Sequence, residues 1–280
     1  MGWFEALIYG IVQGFTEFLP ISSTAHLILL QMAFGYTLPG LSFELMLHFA
    51  SCLAIIFYFR KELIQLVSGG VRYLLLSQRQ DKSSFIYLLY LFAATLVTAV
   101  VGFSVKPYVE TSMKTPEFIG GALLVTAIAL WVIERFAAGT RTIETMNMKD
   151  AICVGFAQAL AVIPGISRSG ATLLAGLSLG IDRETAVKFS FLLAIPIMLG
   201  TSVLAFDELQ GLSWYHFFEV SLLAAMIMAF FCSLICIHWL LYWIRSFRLT
   251  IFSVYCFILA LIVLFGFSGQ EVIDVYLRYE

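Results

Sequence analysis

Long uninterrupted runs of apolar residues, separated by short charged stretches, dominate this 280-residue chain. Crossing roughly 30 Å of hydrocarbon takes about 17–25 apolar residues. Five runs meet that length: 43–59, 84–104, 118–134, 189–206 and 250–267. A sixth falls within 214–244, where 25 residues without a charge separate Glu219 from Arg245. Two further apolar pieces, 4–19 and 151–163, are shorter, and each runs into a proline followed by hydroxyl residues. Ordinary spans with ragged ends would look similar. The prolines favour re-entrant segments instead, because irregular backbone at membrane depth is tolerated only where protein buries it or a wet cavity adjoins it. The first piece carries Glu5 and Glu17, no basic leader and no small-residue cleavage site, so it reads as retained rather than as a signal peptide. The pattern therefore predicts an all-α polytopic membrane protein of about six transmembrane helices plus two re-entrant helical segments.

Composition agrees. Hydrophobic residues make up 61% of the chain and charged ones 12%, with a mean hydropathy of +0.96. Soluble domains average about 45–50% and about 25%, so lipid is the solvent for most of this surface. A net charge of −2 leaves no surface for a nucleic acid. The basic residues are distributed unevenly. The loops 60–83, 135–150, 182–188 and 245–249 hold twelve of them, and the opposing connections and C-terminus hold only Lys106, Lys114 and Arg278. The basic loops are thus expected inside, with the 207–213 loop and the C-terminus outside. Arg168 belongs to neither set.

Offsetting the chain by 145 residues sets GIVQGFTEFLPIS (10–22) on GFAQALAVIPGIS (155–167). Gly10 falls on Gly155, Gln13 on Gln158, Ile21 on Ile166 and Ser22 on Ser167. In the expected topology the two short pieces precede spans of opposite direction, the signature of an inverted-topology repeat. The expectation is one integral membrane domain over 1–280, with repeat 1 at about 1–134 and repeat 2 at about 145–280. The five cysteines lie in apolar segments and read as small packing residues. The pairs Gly10–Gly14 and Gly176–Gly180 have the spacing that lets helices approach closely, within the chain or at a dimer interface.

Two polar constellations interrupt this background. In QGFTEFLPISSTAH (13–26), Gln13 and Glu17 share a helix face, Pro20 ends that helix, and Ser22, Ser23, Thr24 and His26 open the next. Free N–H groups at such a helix start favour an anion. In PGISRSGAT (164–172), a proline-glycine turn gathers Ser167, Ser169 and Thr172 around Arg168, a phosphate-binding set. Each hydroxyl has an ordinary alternative in bonding to a backbone carbonyl. Glu17 and Arg168 lack local partners in apolar surroundings, and pairing them across the repeats would compensate both.

These residues carry a resemblance. QGFTEFLPISSTAH is similar to the (E/Q)xxxE-FLP-SST-x-H motif of the bacterial undecaprenyl-diphosphate phosphatases linked to bacitracin resistance, and PGISRSGAT resembles their second signature, PGxSRSG-A-T. Gln13 stands where many members have glutamate, and His48 where some have an amide. The resemblance implies a hydrolase that removes the terminal phosphate of a C55 polyprenyl diphosphate, so that the lipid carrier can return to peptidoglycan and envelope synthesis. It further implies a divalent cation (Mg²⁺ or Ca²⁺), a site facing the periplasm or outside, the cytoplasmic (inner) membrane as location, and a homodimer. On that footing Arg168 clamps the diphosphate with Ser167, Ser169, Thr172, Ser22 and Thr24. Gln13 and Glu17 hold the cation, Ser23 is the nucleophile, and His26 is its base or the leaving-group acid. Direct attack by water, with His26 or Glu17 as base, stays open. So does a polyprenyl-phosphate transporter, since inverted repeats with broken helices also build carriers.

Overall fold

The computed structural model describes residues 2–34, 40–109, 113, 115–136, 139–208, 220–243 and 248–266. Among them are eleven α-helices: α1 (Trp3–Thr16), α2 (Ser23–Phe34), α3 (Gly40–Tyr58), α4 (Arg60–Leu76), α5 (Lys82–Val105), α6 (Pro116–Phe136), α7 (Met148–Ala159), α8 (Arg168–Ser178), α9 (Arg183–Glu208), α10 (Val220–Trp243) and α11 (Leu249–Gly266). The only β contact among the described residues is an isolated bridge between Arg141 and Ile181. Five helical stretches are long and apolar enough to cross a membrane: Arg79–Val105, Pro116–Arg135, Arg183–Val203, Val220–Trp243 and Leu249–Gly266. They coincide with five of the six expected spans. Large apolar side chains such as Phe92, Phe103, Ile227, Phe231 and Phe257 stand exposed along them, as a lipid-facing surface requires. The chain is a multi-pass membrane protein.

The remaining expected span, 43–59, forms α3 and then bends by 73° into α4. The sequence reading treats 60–83 as a loop, whereas most of it is helix. Ile64, Val67, Val71 and Leu74 recur at helical spacing, and charges cluster at its start, so α4 is amphipathic and too polar to register as a span. Gly69 and Gly70 let it lie directly on α5, where a Cβ would strike Ser84 and Leu88. Likewise 182–188 is mostly the first turns of α9, with Asp182 accepting from Thr185 N at 3.0 Å. The expected outward loop at 207–213 lies, apart from the end of α9, outside the described residues. So do Glu219, Lys114, Arg245 and the C-terminal stretch with Arg278.

Packing follows the small residues. Gly10 and Gly14 bring α1 against α10 so closely that a Cβ at either would collide with the carbonyl of Ala225 or Ala229. Gly155 does the same for α7 on α5 at Ala94, and Thr98 Oγ1 of α5 donates to the Gly155 carbonyl at 2.9 Å. Helix α6 packs along α11, and α3 along α9. Cys52, Cys232, Cys236 and Cys256 are buried and unbridged, and Cys153 is exposed. Glu134 receives both Arg183 Nη2 at 2.8 Å and the first α11 amide, Leu249 N, at 3.0 Å.

Candidate active site

Two breaks in the helical run build the site. Glu17 caps α1, with its N–H on the Gln13 carbonyl, and residues 17–21 turn. Pro20 ends the helix by removing a donor. Ser22 then adopts φ +66°, one of two non-glycine residues with positive φ among those described. Holding such a residue in the left-handed region costs of order 1–3 kcal/mol, and local bonds sustain it. The Ser22 carbonyl accepts from the His26 amide at 3.3 Å and from His26 Nδ1 at 2.8 Å, and its Oγ accepts from Ala25 N at 3.4 Å. Helix α2 begins at the next residue, Ser23.

The second break is made differently. A short 3₁₀ turn, Leu160–Val162, follows α7, and Gly165 takes φ +91° against Ala122, where a side chain would be both strained and overlapped. Ser167 then caps α8, accepting from Gly170 N at 3.1 Å. Ser169 Oγ reaches across to the Leu19 carbonyl at 2.9 Å, tying the second break to the first. Arg168, the first residue of α8, extends its guanidinium onto Glu17, and Nη2 donates to Oε1.

Glu17 is the hub, at 5% exposure. Besides Arg168 it accepts at Oε2 from Ser23 Oγ at 2.7 Å and from Gln13 Nε2 at 3.0 Å. His48 Nε2 of α3 lies 3.3 Å from the same oxygen. The other ring nitrogen of His48, Nδ1, donates to the Glu44 carbonyl at 2.8 Å. A guanidinium and an imidazole thus converge on one carboxylate, and the hydroxyls of Ser22, Ser23, Thr24 and Ser167 line the same cavity, a set of donors suited to an anion. A cavity of about 320 Å³ opens beside it, within the size range of small-ligand sites.

The comparisons with known proteins bear on what that anion is. The family model described as bacitracin resistance protein BacA matches residues 6–262. Undecaprenyl-diphosphatase 2 of Halalkalibacterium halodurans is 47% identical over 276 residues, 98% of this chain and 99% of that protein. The chain belongs to the BacA family. Two more relatives agree along most of their length: undecaprenyl-diphosphatase 1 of Shouchella clausii, 47% identical over 94% of this chain and 96% of its own, and undecaprenyl-diphosphatase 3 of Bacillus anthracis, 40% identical over 92% and 95%.

In this BacA-family chain the residues singled out from sequence separate into three groups. Glu17, Ser22, Ser23, Thr24, Ser167 and Arg168 line the cavity together. Gln13, Ser169 and Thr172 stand behind it. Gln13 is fully buried and supports Glu17, Ser169 bridges the breaks, and Thr172 bonds to the Arg168 carbonyl at 2.9 Å and to Ser190. His26 turns away towards α11. Its Nδ1 donates to a carbonyl, so Nε2 accepts from the Tyr255 hydroxyl at 2.6 Å, and the two rings stack in parallel. Among the described residues no hydrogen bond joins it to Ser23. Sequence reasoning passed over Glu44, His48, Thr98 and Gln158, all in the cavity wall. Two signals pointed to them: Glu44 and His48 are one turn apart in an apolar helix, and Gln158 falls on Gln13 at the 145-residue offset.

Proposed function

We propose that this protein hydrolyses undecaprenyl diphosphate to undecaprenyl phosphate and inorganic phosphate, recycling the lipid carrier for cell-wall synthesis and conferring bacitracin resistance. Family membership and near full-length similarity to proteins named undecaprenyl-diphosphatase support the activity. The observation that carries the chemistry is the Ser23–Glu17–Arg168 contact: a hydroxyl already donating to a carboxylate, beside a guanidinium, at a cavity wall.

The steps follow from those groups. Arg168 moves its fork from Glu17 to the diphosphate, with Ser167, Ser22 and Thr24 beside it and the His48 ring at the same wall. Ser23 Oγ attacks the terminal phosphorus while Glu17 Oε2 takes its proton. The bond to the bridging oxygen breaks, and undecaprenyl phosphate leaves. Glu17 passes that proton to the departing phosphate; water then attacks the phosphoserine while Glu17 takes a proton from it and returns it to Ser23 Oγ, which releases inorganic phosphate. His26, pinned between Tyr255 and the Ser22 carbonyl, holds the turn that aims Ser23 and is a positioning residue in this scheme. Purified protein in detergent should release phosphate from undecaprenyl diphosphate, and Ser23→Ala should abolish both that and any trapped phosphoserine. Full turnover by Ser23→Ala would exclude the serine route in favour of direct water attack.

A divalent cation, Mg²⁺ or Ca²⁺, would neutralise phosphate charge when bound. Gln13 and Glu17 fit it poorly as ligands. Both Glu17 oxygens have protein partners, and Gln13, although its buried Oε1 has no hydrogen-bond partner, lies outside the cavity wall. Among the described residues no group of three or more His, Cys, Asp or Glu side chains is disposed to hold a metal, so amide and phosphate oxygens would complete any shell.

The architecture we propose is a single membrane domain built as an inverted repeat with α1–α2 and α7–α8 as re-entrant pairs. The packing supports it. α1 lies on α10 as α7 lies on α5, each through a glycine at the 145-residue offset, and one apolar cluster draws Phe18 and Ile55 together with Leu173 and Leu193. The positive-inside bias supports placement in the cytoplasmic membrane with the site facing outward, and a homodimer accords with the resemblance. A transporter role has one observation in its favour. A second cavity, about 530 Å³, lies among the basic-side elements at Glu62, Asp182 and Lys188. Lipid movement that survives Ser23→Ala would support that second role.

A further inference from the structure

Helix α4 lines no part of the candidate site, yet its surface is sorted into three stripes. Gly69, Gly70 and Tyr73 face α5, with the Tyr73 ring stacked on Phe85 at 5.0 Å. Lys61, Gln65, Ser68 and Arg72 recur at helical spacing on a second stripe. Ile64, Val67, Val71, Leu74 and Leu75 make the third, and all five are exposed. A helix crossing the bilayer would carry the second stripe, from Lys61 to Arg72, through hydrocarbon. A helix lying in the membrane plane keeps that stripe in water along its whole length while the apolar stripe sinks among acyl chains.

Two observations point to the in-plane arrangement. The chain bends by 73° from α3 into α4. In addition, Gly69, Gly70, Arg72 and Tyr73 meet Asp81, Ser84, Phe85 and Leu88, so α4 packs where the α5 span begins. Charge then selects the partner. From Arg60 to Lys82, five cations stand against Glu62 and Asp81. Arg72 is held by Asp81 at 2.8 and 3.0 Å. Lys61, Arg79 and Lys82 are exposed, and among the described residues none of them has an ion pair. A second copy of the chain docked on this face would bring like charges together, whereas anionic headgroups would neutralise them. We propose that α4 is an in-plane anchor in the leaflet on the basic side of the membrane. Its apolar stripe enters the acyl boundary, and Lys61, Arg79 and Lys82 hold the phosphates of anionic phospholipids. The proposal is independent of the phosphatase reading.

Depth along α4 tests the orientation. Ile64→Cys, Val67→Cys, Val71→Cys and Leu74→Cys, made singly in the full chain with Cys153→Ser, would be spin-labelled in vesicles containing phosphatidylglycerol. Relaxation by oxygen and by an aqueous nickel chelate should place all four at one depth, about 5–10 Å into the headgroup and acyl boundary, and a label at Gln65→Cys should stay open to the chelate. A crossing helix would instead change depth by about 1.5 Å per residue, or about 15 Å from 64 to 74. The headgroup preference has its own test. Spin-labelled phosphatidylglycerol should associate with the wild type about threefold or more better than spin-labelled phosphatidylcholine. The combined variant Lys61→Gln, Arg79→Gln, Lys82→Gln should lose most of that preference while eluting as the wild type does in gel filtration. A depth that climbs steadily along α4, or an apolar stripe closed to both relaxants, would overturn the anchor. Equal association of the two lipids with the wild type, or an undiminished preference in the triple variant, would overturn the headgroup assignment.

Discussion

The two helix breaks share a plan and differ in how they meet its cost. After α7 the chain turns on Gly165, where φ +91° is free of Cβ strain, and Ser167 caps α8 through a 3.1 Å bond. After α1 the chain turns on Ser22 at φ +66° without a glycine, and three hydrogen bonds from the first turn of α2 hold it. The relaxed break presents the arginine, a long side chain that finds an anion over several ångströms. The strained break presents the hydroxyl, which must attack along one line. Strain at Ser22 accompanies the group whose direction matters most, as is common where backbone outliers adjoin reacting atoms.

That contrast can be broken in order of expected effect. At the strained break, Ser23→Ala should lower kcat by about a thousandfold with little change in melting temperature, since the nucleophile acts in the transition state and stabilises little else. At the relaxed break, Arg168→Lys should lower kcat/KM by about a hundredfold, because an ammonium lacks the two-pronged fork. Near-normal turnover in either would sever that residue from the chemistry. Gly165→Ala should act on stability, by about 1–3 kcal/mol, through its φ and its contact with Ala122. Ser22→Gly should show no comparable loss in the same thermal assay, and a large one would mean that the turn is not strained. The smallest effect belongs to Tyr255→Phe. Removing one hydrogen bond to His26 should lower kcat about fivefold and leave KM unchanged, while a shift in KM alone would place Tyr255 with the substrate.

Much of this was legible from residue order. Spans 84–104, 118–134, 189–206 and 250–267 needed only uninterrupted apolar length, and the prolines at 20 and 164 announced the breaks. Glu17 and Arg168 stood out because neither had a neighbour to pair with. Helix α4 was hidden because Arg60, Lys61 and Glu62 open it and Gln65, Ser68 and Arg72 interrupt its apolar run. Glu44, His48 and Gln158 sat inside apolar helices, where a single polar residue is as often satisfied locally as functional. Only the folded cavity, whose wall α3 and α7 both line, gathers them. His26 shows the reverse difficulty: its spacing from Ser23 set them on one helix face, but the Ser22 carbonyl and Tyr255 claimed both of its ring nitrogens.

The contact between Arg168 and Glu17 joins residues 151 apart in the chain. Loop closure of that length forms late, after local helices are in place. A chain whose helices are all present but whose halves have not docked is therefore inert, with neither a clamp nor an aimed hydroxyl. Catalysis then reports on long-range order in the bilayer. Heat or detergent that loosens helix–helix docking should silence the enzyme while circular dichroism still records a fully helical protein.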